Sequence, residues 1–180
     1  MTPTNMLHPE RRVALVRDLR ILDTPPERSF DVVAQGLARL YHVPVALVTF
    51  LDQEHQFIKA AVGTDERQRP LTETFCQYTM TSDQVLVIPD LTEDARTREH
   101  PFVTGSPHLR FYAGAPIMVE GLQVGTACIF DLAPRTLTSV QVSSLAHLAR
   151  LVAVTVHARR YAPTRAADYP HWSAERSGDR

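Results

Sequence analysis

The sequence predicts an α+β domain built on an antiparallel sheet, and three observations carry that reading. Arg110 to Asp131, RFYAGAPIMVEGLQVGTACIFD, reads as two apolar strands joined by a tight turn at Glu120-Gly121. Val45 to Leu51, VALVTFL, is an apolar run of strand length that turns at Asp52-Gln53-Glu54 and returns as His55 to Val62. A helix followed by a hairpin, rather than by a crossover, favours an antiparallel α+β sheet over a doubly wound one. Both faces of these strands look apolar, so each face needs a cover.

The elements follow in chain order. Pro9 to Arg20 reads as a helix, with Val13, Val16 and Leu19 near one face. Thr24-Pro25-Pro26-Glu27 has the form of a capping box with proline at the first helical position. Phe30, Val33, Ala34, Leu37 and Tyr41 then keep helical spacing until Pro44, which pushes the preceding residue out of helical angles. The two strands over Val45 to Val62 come next. Gly63 to Leu71, GTDERQRPL, reads as a polar loop, Glu73 to Thr81 as a short helix, and Val85 to Ile88 as a short strand. Asp90 to Leu109 is long, polar and irregular, the kind of connection that is often functional. In the final hairpin, glycine at Gly121 allows the positive backbone angle of a tight turn; Glu-Gly is equally compatible with a bulged turn. Thr138-Ser139-Val140-Gln141 is a second capping box, opening a helix to about Arg160. The domain is therefore expected over residues 9–160. Residues 1–8 form an N-terminal extension, and the mixed-charge residues 161–180, with Trp172, a mobile tail.

Composition narrows the function classes. The chain has 180 residues, 44% hydrophobic and 22% charged, enough for one domain with a substantial core. A net charge of −1 with no basic block argues against nucleic acid as the main partner. No apolar run is read as approaching the roughly 20 residues of a membrane span. The N-terminus, MTPTNMLHPERR, lacks the apolar core of a signal peptide, so a cytoplasmic protein with no membrane partner is expected. Two cysteines make neither a disulfide framework nor a four-cysteine zinc site, and the scattered histidines form no metal pair, so no metal ligand is expected.

The order of elements resembles the GAF domain, a small-molecule sensor module of bacterial signalling. The resemblance rests on Arg110-Phe111-Tyr112-Ala113-Gly114-Ala115-Pro116 followed by Gly125, Thr126, Cys128 and Asp131. It also rests on Ile21 to Glu27, Val43 to Val48, Phe75-Cys76, and Ile88-Pro89-Asp90-Leu91 with Asp94 and Arg96. These segments resemble the subgroup often fused to sensor histidine kinases and diguanylate cyclases. The resemblance implies a central antiparallel sheet of six strands with the terminal helices packed on one face. On the other face, Gly63–Met80 and Asp90–Leu109 are expected to roof a pocket. A PAS-type sensor is the alternative fold, disfavoured by the long N-terminal helix pair and the Arg110–Asp131 motif.

Within that frame the candidate ligand-binding residues are Phe75, Cys76, Asp90, Asp94, Arg96, Arg110, Tyr112 and Cys128. Aromatic walls with a few polar groups are the usual build of a small-molecule site, which selects Arg110 and Tyr112; the alternative is a core aromatic pair. Arg96 is a candidate clamp for a carboxylate or phosphate; the alternative is a loop stapled by its own Asp–Arg bonds. Cys76 is followed by Gln77, and Tyr78 stands where the subgroup often has histidine, so neither a bilin attachment site nor a haem or metal ligand is expected. One branch of the fold reduces free methionine sulfoxide with a cysteine in the loop before the final hairpin. Here that loop reads Pro107-His108-Leu109-Arg110, with no thiol, so no catalytic residue and no enzymatic activity are expected.

The expected function is a stand-alone sensory or regulatory domain that binds an unidentified small molecule and acts in trans, with a histidine kinase or diguanylate cyclase as partner. No cofactor is assigned. A ligand-free dimerisation module and, less favoured, a thiol reductase are the alternatives. A homodimer through the terminal helices is expected, with Ala146, Ala149 and Ala153 permitting close approach.

Overall fold

A computed structural model describes residues 9–159. The first two helices are α1 (Pro9–Asp18) and α2 (Arg28–Tyr41). The hairpin of β1 (Val45–Leu51) and β2 (His55–Val62) follows. Next come β3 (Gln68–Pro70), a 3-10 turn (Leu71–Glu73), α3 (Cys76–Thr79) and β4 (Leu86–Ile88). The chain then runs through α4 (Pro101–Thr104), β5 (Phe111–Val119), β6 (Leu122–Asp131) and α5 (Ser139–Arg159). The six strands form one sheet in the order β3-β2-β1-β6-β5-β4, antiparallel throughout. This is the α+β architecture expected, with a third strand where a polar loop was read. The sequence extension before residue 9 and the tail with Trp172 lie outside the described residues.

Strand alternation divides β1 between the two faces. Ala46, Val48 and Phe50 join an aliphatic core under α1, α2 and α5, while Leu47 and Leu51 join a second core on the opposite face. The final hairpin closes with positive φ at both Glu120 (52°) and Gly121 (75°), the angles of a two-residue type I′ turn. A bulge does occur, but one step back, where the register shifts between Ile117 and Met118.

The two capping boxes part company. Thr138 and Gln141 form theirs: Gln141 N–H donates to Thr138 Oγ1 at 3.2 Å and Thr138 N–H to Gln141 Oε1 at 2.9 Å. Thr24 and Glu27 do not. The helix starts at Arg28, and Glu27 at its N-cap makes no capping bond. Both side chains are claimed by Lys59, buried at a β-bulge opposite Val48 and Thr49. Its ammonium donates to Thr24 Oγ1 (2.5 Å) and Pro25 O (2.6 Å) and pairs with Glu27 (2.6 Å), which also pairs with Arg159. A buried cation without such partners is far costlier than an unmade cap. Burial pushes the Lys59 amine down to about 8, opposed by the charge of Asp31.

Two further details anchor the helical face. Arg12 is buried and donates to Leu51 O (2.6 Å) and Asp52 O (2.7 Å), pinning α1 to the end of β1. Helix α5 buries Leu145, Ala149, Val152, Ala153 and Val156 on the sheet. At 21 residues it is long and apolar enough to meet the length and composition of a membrane span, which corrects the reading that no such run exists. In this fold the helix packs on β5 and β6 as a core element does.

Candidate functional site

The second face of the sheet is built differently. Its core is small and aromatic, with Phe75, Tyr112 and Phe130 within 5.0–5.7 Å of one another, centroid to centroid. The two irregular segments expected as a roof lie over it. Between roof and sheet is a cavity of about 390 Å³. Its walls come from β1 (Val45, Leu47), β2 (Gln56, Ile58), the Gly63–Cys76 stretch, Phe102, Pro107, Leu109 and Phe130.

The roof is stapled in place by short-range polar contacts. Thr92 donates twice to Asp90, through its hydroxyl (2.7 Å) and its N–H (2.9 Å), holding that carboxyl below the usual range. Arg96 donates to both oxygens of Asp94, at 2.9 and 2.6 Å, which lowers the acid and raises the base. Tyr78 donates to Arg96 O at 2.6 Å and Arg110 to Val103 O and Leu109 O at 3.0 and 2.9 Å. His100 joins the two roof segments. Its Nδ1 accepts the Phe102 N–H (3.2 Å), its Nε2 lies 3.2 Å from Glu73 O, and its ring sits 4.2 Å from that of Phe75. An accepting Nδ1 requires the neutral ring with the proton on Nε2. Burial holds the His100 pKa below its ordinary value.

Of the eight residues selected from sequence, Phe75 and Cys76 line the cavity. Cys128 and Tyr112 lie directly behind Cys76. The two sulfurs are 4.0 Å apart, Thr49 Oγ1 is 3.8 Å from Cys76 Sγ, and the Tyr112 hydroxyl contacts both Thr79 Oγ1 (2.6 Å) and Cys76 Sγ (4.0 Å). Hydrogen bonding from Cys128 above all, with help from Thr49, Tyr112 and Thr126, draws the Cys76 thiol below its ordinary range against burial. Burial pushes Cys128 and Tyr112 up. Gly114 makes room here: a Cβ on it would meet the Tyr112 hydroxyl at 2.2 Å and Thr79 Oγ1 at 2.7 Å. Asp90, Asp94, Arg96 and Arg110 are not among the lining residues; their side chains are spent on the loop itself.

Among the lining residues that sequence reasoning passed over are Gln56, Glu66, Arg69, Glu73 and Phe102. One signal was available: Gln56 stands two residues before Ile58 in β2 and so shares its face, a polar residue on a buried side. At the solvent end, Arg69 pairs with Glu66 at 2.5 Å and Glu73 at 3.2 Å and lies 4.5 Å above the Phe102 ring. No cluster of three or more metal-ligating side chains occurs among the described residues.

A family model for the GAF domain matches residues 25–156. The chain belongs to the GAF family. A cyclic di-GMP phosphodiesterase of Pseudomonas aeruginosa is 37% identical over 151 residues, covering 83% of this chain and 26% of the relative. The chain thus spans about a quarter of the length of the curated relative it matches. Among solved structures, the free methionine-R-sulfoxide reductase of Neisseria meningitidis aligns with a TM-score of 0.64 at 14% identity, over 84% of this chain and 94% of that one. The GAF domain of an Acinetobacter phosphoenolpyruvate-protein phosphotransferase aligns at 0.62 and 12%, over 86% and 96%. Likeness at such identities concerns the fold. These findings correct the expectation that enzymatic activity can be set aside: the GAF relative in sequence is named a phosphodiesterase, and a reductase shares the fold. The missing thiol before the final hairpin was too narrow a ground for excluding catalysis.

Proposed function

We propose that this GAF domain, over residues 9–160, is a cytoplasmic sensory module in cyclic di-GMP signalling. It takes a small molecule into the cavity under its roof and regulates an output in trans, such as a phosphodiesterase, a diguanylate cyclase or a histidine kinase. The cavity carries the reading: a space of about 390 Å³ of mostly apolar lining with few polar groups is the usual build of a small-molecule site. The 37% identical relative supplies the signalling context. Ligand occupancy would bias the roof, and through the sheet the terminal helices, to the extent that the ligand prefers one arrangement over another. A homodimer through those helices is part of the reading. Val140, Leu151 and Val154 on α5 are 73%, 58% and 67% exposed, and Val32 and Leu40 face outward from the neighbouring α2. Ala149 and Ala153, expected at that interface, are instead buried in the core, so the outward face of α5 takes their place.

Native mass spectrometry of freshly purified protein tests the sensor reading. A non-covalent mass that vanishes on denaturation supports it; no adduct, together with no thermal shift across a metabolite panel, counts against it.

The thiol pair favours a second reading. In it, Cys76 attacks the sulfur of free methionine sulfoxide, methionine leaves, and Cys128 displaces hydroxide from the resulting sulfenic acid. The products are methionine, water and a Cys76–Cys128 disulfide, which an external dithiol reduces. Turnover with dithiothreitol that disappears in Cys76→Ser would establish it; absence of turnover in the wild type would end it.

A further inference from the structure

We propose that the cavity selects a neutral or cationic ligand bearing N–H or O–H groups, which it holds at Gln56, and that it rejects anions, cyclic nucleotides included. This deepens the sensor reading and rests on it.

Gln56 is 4% exposed, lines the cavity, and its Oε1 is buried with no hydrogen-bond partner. Nearly all buried polar side-chain atoms in folded proteins find a partner, and one left without costs stability. Its strand position does not require a polar residue, since Ile58 two places on shares the face. A donor arriving with a ligand would satisfy the oxygen, whose cross-strand neighbours are Leu51 and Arg69, the latter already engaged by Glu66 and Glu73.

Charge at the solvent end gives the second half of the argument. The charged lining residues are one guanidinium, Arg69, and two carboxylates, Glu66 and Glu73. Nε and Nη2 of Arg69 engage Glu66, and Nη1 engages Glu73, so every nitrogen already has a carboxylate partner. A phosphate or carboxylate entering there meets net negative charge and no free cation. A cation meets the reverse. Turning the Gln56 amide over would bury its NH2 end instead, but would leave the repulsion of anions unchanged.

Four probes with the same phenyl ring separate these terms: benzamidine (cationic donor), benzamide (neutral donor), toluene (no donor) and benzoate (anion). Binding is followed by two-dimensional NMR of the 15N-labelled full chain, reading Gln56, Thr74 and Cys76. Benzamidine and benzamide are expected to bind, benzoate at least about ten-fold more weakly. Gln56→Leu should bring benzamide down to the level of toluene, roughly ten-fold, the scale of one buried hydrogen bond. The same variant should raise the melting temperature of the unliganded protein by about 2–4 °C, because the unpartnered oxygen is gone. Gln56→Met serves in its place if Leu does not fold. Benzoate binding as tightly as benzamidine, or Gln56→Leu retaining its affinity for benzamide, overturns the ligand class and leaves the cavity a binding site. Failure of all four probes to move the lining resonances overturns both.

Discussion

The two faces of one sheet are packed to different ends. On the helical face, three helices bury a continuous, mostly aliphatic cluster that runs from Leu15 in α1 to Val156 in α5. Its buried cations, Arg12 and Lys59, are each held by backbone or carboxylate oxygens. On the roofed face the cluster is less than half that size, rich in rings and thiols, and it encloses a cavity with an unsatisfied amide. The comparison teaches that a single layer of strands can carry a large helix-covered core on one side and a smaller core beside a cavity on the other. A second cleft, of about 580 Å³, opens among Thr24, Pro25, Lys59 and Asp65, but its lining is mostly polar; what sets the roofed side apart is a cavity with apolar walls.

The contrast can be broken most forcefully in the helical core. Phe50 is fully buried there, edge-on to Phe30 at 5.9 Å. Phe50→Ala should cost about 3–5 kcal/mol of unfolding free energy in urea titrations. Phe75→Ala on the roofed face should cost less, about 2 kcal/mol, because its ring already borders open space and surrenders fewer contacts. Equal losses at the two positions would mean the faces are packed alike.

A smaller effect comes from pH. The folded pKa of His100 lies below its ordinary 6.5, chiefly through burial, with Arg69 lowering it further and Glu73 opposing. The neutral ring is therefore favoured by folding. Its contribution is fully present above about 6.5 and is lost as pH falls through the folded value. Protonation also removes the lone pair that accepts the Phe102 N–H. Hydrogen exchange, corrected for its intrinsic pH dependence, should show the Leu71–Thr79 and Asp90–Leu109 amides losing protection between pH 7.5 and 5.5. The helical-face amides should hold. Parallel loss on both faces would refute a local opening of the roof.

The smallest effect on the fold is expected from Leu151→Asp with Val154→Asp. Both positions are exposed, so monomer stability should change by no more than about 0.5 kcal/mol per substitution. Light scattering should nevertheless show the proposed dimer dissociating. A dimer that survives unchanged would place its interface elsewhere.

The frame was legible in sequence because it is made of local rules. The apolar runs of β1 and β6, the Glu120-Gly121 turn and the Thr138–Gln141 capping box each act over a few residues. What could not be read locally was which partner a polar side chain would choose. Thr24 and Glu27 looked like a cap until Lys59, 35 positions from Thr24, claimed both. The site shows the same limit. Cys76 and Phe75 stood out by type and do line the cavity, whereas Gln56 and Arg69 matter through who surrounds them. The Gln68–Pro70 strand was hidden because a three-residue edge pairing leaves no periodicity to detect.

Those short margins have a consequence for how copies of the chain can meet. The sheet ends at β3 and β4, each three residues long, and β3 presents a charged Arg69 and a Pro70 that has no N–H to give. Blunt borders of this kind resist the strand-by-strand accretion that leads to fibrils and edge-paired assemblies. Such a sheet therefore offers neighbouring molecules helices rather than strands, which keeps any self-association finite.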